Sequence, residues 1–180
     1  MEEISLHILD LAQNSIKAEA SLIKIYVVED VNKNVLSFTI EDNGCGMSEE
    51  FLKTVENPFA TTRTTRKVGL GIPLTKQACL DADGSFKITS KENEGTCLTA
   101  VFTYNHIDRQ PLGDMKSTIL ILITQNISID FIYTHTYNDK QFVLDTREIR
   151  EAINPLPLDN PDIYEWLSEF LSENYKEIYN

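Results

Sequence analysis

Positive charge is scarce in this chain. Its 180 residues carry 16 basic against 28 acidic side chains, a formal charge of −12. Splitting at Asn105 leaves 10 basic and 15 acidic residues before it and 6 and 13 after it, so the parts carry −5 and −7 and neither is basic. A nonspecific nucleic-acid or anionic-membrane surface is excluded on that balance, because long-range attraction to a polyanion needs a positive patch. Long hydrophobic runs are missing too. The longest aliphatic run, Ile119 to Ile123, falls far short of the stretch of about 20 residues that crosses a bilayer. The opening Met-Glu-Glu-Ile lacks the positive region of a signal peptide. Cysteine is sparse and odd in number, and Cys45, Cys79 and Cys97 follow no close metal-ligand spacing, so reduced thiols in a cytoplasmic protein are expected. No Gly-x-x-x-x-Gly-Lys-Ser/Thr phosphate loop and no Rossmann glycine spacing occurs, and no internal repeat.

What is present is a patterned chain. Ile4 to Glu19 reads as a helix, and Leu22 to Glu29 and Val35 to Glu41 as strands joined by a turn at Asn32 to Asn34. A loop-rich stretch follows from Asp42 to Val68. Pro73 suits the first turn of a helix running to about Asp81, and Asp83-Gly84 opens a strand pair, Ser85 to Ser90 and Thr96 to Tyr104. Strand alternation stops at HIDRQPLG, which divides residues 1–105 from 106–180. The second segment reads as a helix from about Leu112 to Gln125, a hairpin of Ile127 to Tyr137 with Gln141 to Leu144, and a short helix from Thr146 to Ile153. A three-proline linker over 154–161 then leads to an acidic amphipathic helix over 162–178, whose Ile163, Leu167, Phe170, Leu171 and Ile178 share a face expected to pack on its own domain.

Three polar constellations interrupt this pattern. On a wheel of about 100° per residue, Ile4, Ile8, Leu11, Ala12 and Ile16 form one stripe of the first helix, and Asp10, Asn14 and Lys17 form a polar line opposite. A carboxylate, an amide oxygen and an ammonium in line suit a hydrated divalent cation and a polyphosphate, although these three residues alone favour a plain solvated face. Next, an alternating strand ends in Glu41-Asp42-Asn43-Gly44-Cys45-Gly46-Met47. An Asp there can accept a hydrogen bond from an exocyclic amine while glycines let backbone approach a flat ring, or the run is a tight Asn-Gly turn. Last, Asn57-Pro-Phe-Ala-Thr-Thr-Arg-Thr-Thr-Arg-Lys-Val-Gly69-Leu-Gly71-Ile-Pro73 sets hydroxyls, cations and glycines before a helix start, where free N–H groups attract anions. It reads as a phosphate lid or as a mobile basic loop.

Taken in order, these elements resemble the GHKL family of ATP-binding proteins, which holds histidine-kinase catalytic domains, anti-sigma serine kinases, the MutL and gyrase B ATPases and heat-shock chaperones. Asp10 to Lys17 resembles the family's N box, Asp42-Asn-Gly44-Cys-Gly46 its first glycine box, Asn57 to Arg63 its F box, Gly69-Leu-Gly71-Ile72 its second glycine box, and Gly95-Thr96 its last box, over about residues 4–104. The resemblance implies an α/β two-layer sandwich of Bergerat type, a mixed and mostly antiparallel sheet with helices over one face and ATP between the layers, plus a C-terminal α/β extension. It implies that Asn14 supplies an oxygen to Mg²⁺ and that Asp42 takes the adenine amine with Thr96 helping through water. Gly44, Gly46 and Met47 would border the base. Lys17, Thr62, Arg63, Arg66 and Lys67, with Gly69, Leu70, Gly71 and Ile72, would meet the phosphates.

Two departures bear on function. Where the hydrolysing branches carry a water-activating Glu, this chain has Asp10, shorter by roughly 1.5 Å. A base must come within about 3.2 Å of its proton, and a misplacement of about 1 Å costs on the order of a hundredfold in rate, so Asp10 is a handicapped candidate for the catalytic base. One glycine of the kinases' second box is replaced near Lys67-Val68. The short lid and Asn14-Ser15-Ile16-Lys17 lean toward the kinases, yet no phosphoacceptor helix precedes the N box, and His7 reads as structural. Two activities are therefore expected: transfer of the γ-phosphoryl group to a side chain of a protein partner, or an ATP-driven conformational switch with slow hydrolysis. Nucleotide binding without turnover is a third. A homodimer is compatible with either.

Overall fold

A computed structural model describes residues 2–55 and 69–180. The first helix, α1 (Ile4–Lys17), is two residues shorter than its apolar pattern, because Ala18 leaves the helix and Glu19 takes φ 58°. Its first two N–H groups have no side-chain cap. Those of Ile4 and Ser5 donate to the carbonyls of Pro111 and Leu112 at 2.9 and 2.8 Å, so backbone from the middle of the chain satisfies donors that helix geometry leaves free. β1 (Leu22–Asp30) and β2 (Val35–Asp42) form the expected hairpin. The stretch read as loop holds a helix, α2 (Glu49–Val55). Its start was readable: the Ser48 hydroxyl accepts the Phe51 N–H at 3.2 Å, and two glutamates occupy the first turn. α3 (Gly71–Asp81), β3 (Ser85–Lys91) and β4 (Gly95–Thr103) follow as expected.

α4 (Met115–Gln125) begins later than its apolar run, where Asp114 accepts the Ser117 N–H at 2.9 Å. β5 (Asp130–Tyr137) and β6 (Lys140–Asp145) make a second hairpin, and α5 (Thr146–Ile153) and α6 (Pro161–Tyr179) end the chain. All six strands join one sheet in the order β3-β4-β2-β1-β5-β6. Every pairing is antiparallel except β1 with β5, which is parallel. The sheet and its core thus run without a break from the first segment into the second, and buried residues of both belong to one cluster.

Helices cover one face. Along β1 the buried residues are Ile23, Ile25, Val27 and Glu29, and along β5 they are Phe131, Tyr133 and His135, each alternating with half-exposed neighbours. α1 sets Ile4, Ile8, Leu11 and Ala12 onto that face, and burying each of the larger aliphatic chains stabilises the fold by about 1.5–3 kcal/mol. The architecture is the two-layer sandwich that the sequence implied. The face of α6 holds at Ile163, Leu167, Leu171 and Ile178, which are buried.

Candidate functional site

Between the helical layer and the sheet lies a cavity of about 420 Å³, in the size range of sites that take a small organic ligand. α1 contributes Leu11, Asn14, Ser15 and Lys17, with Ala18 just beyond it; β2 contributes Ile40 and Asp42; the turn after β2 contributes Cys45, Gly46 and Met47. α2 adds Phe51 and Val55, the start of α3 adds Gly69 and Ile72, and β3 and β4 add Ile88, Thr96 and Leu98. Apolar side chains dominate, with few polar groups among them, which is the make-up of a pocket for a flat ring carrying a polar tail.

Asp42 ends β2 on the helix-facing side. Its Oδ1 accepts the Gly44 N–H at 2.9 Å and its Oδ2 accepts the Ser15 hydroxyl at 2.5 Å. A carboxylate offers about four lone-pair sites, so acceptor capacity remains on the cavity side. The turn after β2 is held from two directions. Cys45 N–H donates to Ala18 O at 2.9 Å, and Asn93 N–H donates to Cys45 O at 2.7 Å, so the end of α1 and the β3–β4 turn grip it between them. Gly46 has φ +65°, and a Cβ there would sit 1.9 Å from Lys91 O, so no other residue fits without moving that turn. Thr96, the register partner of Asp42 across β2 and β4, is tied through its hydroxyl to Ser90 Oγ at 2.8 Å.

The polar line of α1 divides. Asn14 and Lys17 reach the cavity; Asp10 does not line it. A Cβ on Gly71 would lie 1.9 Å from Asp10 Oδ2, so this carboxylate packs against the backbone that opens α3, and only glycine admits it. Of the residues expected to form the site, Asn14, Lys17, Asp42, Gly46, Met47, Gly69, Ile72 and Thr96 come together around the cavity. Gly44 acts from behind through its N–H to Asp42, and Leu70 is 61% exposed at the start of α3. Thr62, Arg63, Arg66 and Lys67 lie outside the described residues.

Several residues at or beside the cavity escaped the sequence reading. Ser15 was visible only as the residue after Asn14, and Phe51 and Val55 were hidden with α2. Ser90 carried no signal, since a serine closing a strand reads as turn chemistry. His7 is buried in α1 away from the cavity. Its Nδ1 meets Thr75 Oγ1 at 2.9 Å, and because the Thr75 proton goes to Gly71 O at 2.7 Å, Nδ1 is the donor. Nε2 lies 2.8 Å from the Gln110 side chain. Burial holds the His7 imidazole below its ordinary pKa. Of the thiols, Cys45 is exposed at the cavity, whereas burial in α3 pushes Cys79 up to about 12 and leaves it inert. Among the described residues no group of three His, Cys, Asp or Glu side chains is placed to hold a metal, and no helix is long and apolar enough to cross a membrane.

A mixed sheet under one helical layer, with a ligand-sized cavity between them bounded by glycine turns, defines a Bergerat-type α/β sandwich. The chain belongs to the family described as histidine kinase-, DNA gyrase B- and HSP90-like ATPases, whose model matches residues 2–106. Among similar proteins, the sensor histidine kinase YvrG of Bacillus subtilis is 30% identical over 97 residues, covering 52% of this chain and 17% of that protein. The peroxide stress-activated histidine kinase mak2 of Schizosaccharomyces pombe is 40% identical over 70 residues, 36% of this chain and 3% of that one. The chain therefore spans only a small part of the length of these relatives. In fold, it resembles the Aquifex aeolicus MutL ATPase domain complexed with ADP at a TM-score of 0.51 and 13% identity, over 94% of this chain and 88% of that one.

Proposed function

We propose that this chain binds ATP with Mg²⁺ in the cavity and passes the γ-phosphoryl group to a side chain of a partner protein. The observation that carries this reading is the convergence of Asp42 and Thr96 from the sheet, Asn14 and Lys17 from α1, and Gly69 from the approach to α3 on one cavity of about 420 Å³. Asp42 keeps free lone pairs for the adenine amine, and Ile40, Met47 and Leu98 offer apolar surface to the ring. Lys17 and Gly69, which line the cavity, would serve the triphosphate, and Thr62, Arg63, Arg66 and Lys67, a few residues before Gly69 in sequence, would join them. Asn14 would give one oxygen to the Mg²⁺, and the ion would take the rest of its shell from phosphate and water, as it does where few protein oxygens are on offer.

Bound there, Mg²⁺ would neutralise charge on the phosphates. The acceptor's lone pair attacks the γ-phosphorus, the bond to the β,γ-bridging oxygen breaks, ADP leaves with the electron pair, and the acceptor's proton passes to solvent. The chain's share is positioning and electrostatic stabilisation: Lys17 beside the phosphates, the α3 start beneath them, and apolar walls that keep water out. Transfer is favoured over hydrolysis because Asp10, the candidate base, is turned onto Gly71 and not into the cavity. Residues 106–180, which extend the same sheet, would present the surface that selects the partner or pairs two copies.

ATP labelled on its γ-phosphate, incubated with the chain and Mg²⁺ and then with added cell extract, tests this. Label on a protein band that disappears with Asp42→Asn and persists with Asp10→Asn supports transfer. Free phosphate alone, abolished by Asp10→Asn while nucleotide still binds, would establish the hydrolytic switch instead.

A further inference from the structure

Ser90 does not line the cavity, yet its hydroxyl meets three groups that shape it. Ser90 Oγ lies 2.9 Å from Gly95 O, 2.8 Å from Thr96 Oγ1 and 2.8 Å from Met47 N. A hydroxyl has one proton and two lone pairs. Gly95 O can only accept and Met47 N–H can only donate, so a single arrangement satisfies every group: Ser90 gives its proton to Gly95 O and accepts from both Met47 N–H and the Thr96 hydroxyl. The opposite direction, Ser90 to Thr96, would withdraw the serine proton from Gly95 O. With the Thr96 proton committed to Ser90, its oxygen shows the cavity lone pairs only. Asp42, its cross-strand partner, accepts from Gly44 N–H and from Ser15 and has nothing to donate when ionised. The Met47 N–H, another donor beside the cavity, is likewise turned away to Ser90.

We propose that Ser90 is the positioning residue that sets base selectivity: by holding the Thr96 hydroxyl and the Met47 N–H, it keeps this wall of the cavity free of donors. A base that presents an amine there is accepted, and one that presents a carbonyl meets acceptors alone and is rejected. The inference rests on the cavity being a nucleotide site. Removing the Ser90 hydroxyl frees the Thr96 O–H to turn and serve a carbonyl, while the Met47 N–H, whose direction the backbone fixes, only loses its acceptor.

The test compares ATP with inosine triphosphate, which keeps the ribose and the phosphates but carries an oxo group in place of the amine and a proton on the adjacent ring nitrogen. Dissociation constants are measured for the unaltered chain, Ser90→Ala, Ser90→Thr and Thr96→Val, each checked for its fold by circular dichroism. A buried acceptor facing a carbonyl leaves polar groups unpaired, so the unaltered chain prefers ATP by roughly 10–100-fold. Ser90→Ala narrows that ratio by about tenfold, chiefly by improving the inosine nucleotide, and Ser90→Thr keeps it. Thr96→Val, which decides the matter should Ser90→Ala not fold, weakens ATP and spares inosine triphosphate. Equal weakening of both nucleotides by Ser90→Ala overturns the inference, since a merely structural serine would do that. So does a larger loss of inosine triphosphate than of ATP in Thr96→Val, or equal binding of the two by the unaltered chain. Failure of the unaltered chain to bind either nucleotide defeats the reading of the cavity itself, whereas ATP binding with a ratio unmoved by Ser90→Ala defeats only the role of Ser90.

Discussion

Asp42 and Glu29 stand on neighbouring strands, on the same helix-facing side of the sheet, and their surroundings differ in kind. Glu29 is closed in. Its Oε1 accepts from His135 Nε2 at 2.9 Å and from the Tyr179 hydroxyl at 2.5 Å, and its side chain is only 7% exposed. Around that pair, Tyr133 bonds His135 Nδ1 and Tyr175 at 2.6 Å each, and the rings of Phe142, Tyr175 and Tyr179 pack on the imidazole. Burial pushes the Tyr133, Tyr175 and Tyr179 hydroxyls up, so they stay protonated and able to donate. Asp42 has comparable partners, a hydroxyl and an N–H, but one side of it opens onto a cavity. A buried carboxylate bonded to a histidine and a tyrosine and sealed with rings staples α6 to the sheet; one that borders a cavity keeps a side open to it.

The sharpest way to break this comparison is to remove each carboxylate and ask which property fails. Glu29→Ala strands a buried histidine and a tyrosine hydroxyl, and costs about 3–5 kcal/mol of stability, read as a large fall in thermal midpoint with nucleotide affinity in the folded protein nearly unchanged. Asp42→Asn should do the reverse. It takes away a charged acceptor worth about 1.5–3 kcal/mol, so ATP affinity falls by roughly 10–150-fold in calorimetry while the thermal midpoint moves little. Loss of stability from Asp42→Asn without loss of binding would make Asp42 a staple like Glu29. Ser15→Ala removes the hydroxyl that orients Asp42 Oδ2, and about 1 kcal/mol, or about fivefold in affinity, should go with it.

The smallest effect concerns pH. His7 has its pKa lowered below 6.5 in the folded chain, so over the range just below 6.5 the unfolded chain binds more protons than the folded one. This contribution to stability is therefore present above that range and is lost as pH falls through it. Thermal melts of the unaltered chain should fall faster between pH 7 and pH 5 than those of His7→Gln. Parallel curves would assign the acid sensitivity elsewhere.

Local chemistry was legible and long-range pairing was not. Asp42 announced itself by ending an alternating strand before two glycines, and the stripe of α1 gave Asn14 and Lys17 their side of the helix. The partnership of Glu29 with His135 spans 106 residues, and each alone reads as an ordinary polar residue in a strand. The parallel pairing of β1 with β5 is equally silent, because the alternation of β5 specifies a half-buried strand and not its neighbour. Ser90 was lost for a related reason: its role lies in where a single proton goes, which depends on three groups that only the folded chain brings together.

The account turns on whether a nucleotide occupies this one cavity. Backbone amide resonances followed by NMR as ADP and Mg²⁺ are added give the most direct answer. The largest shifts should fall on Asn14, Lys17, Asp42, Gly44 to Met47 and Thr96, and those of Glu29, His135 and Tyr179 should stay in place. Unmoved resonances at millimolar nucleotide, or shifts gathered around α6 instead, would contradict it.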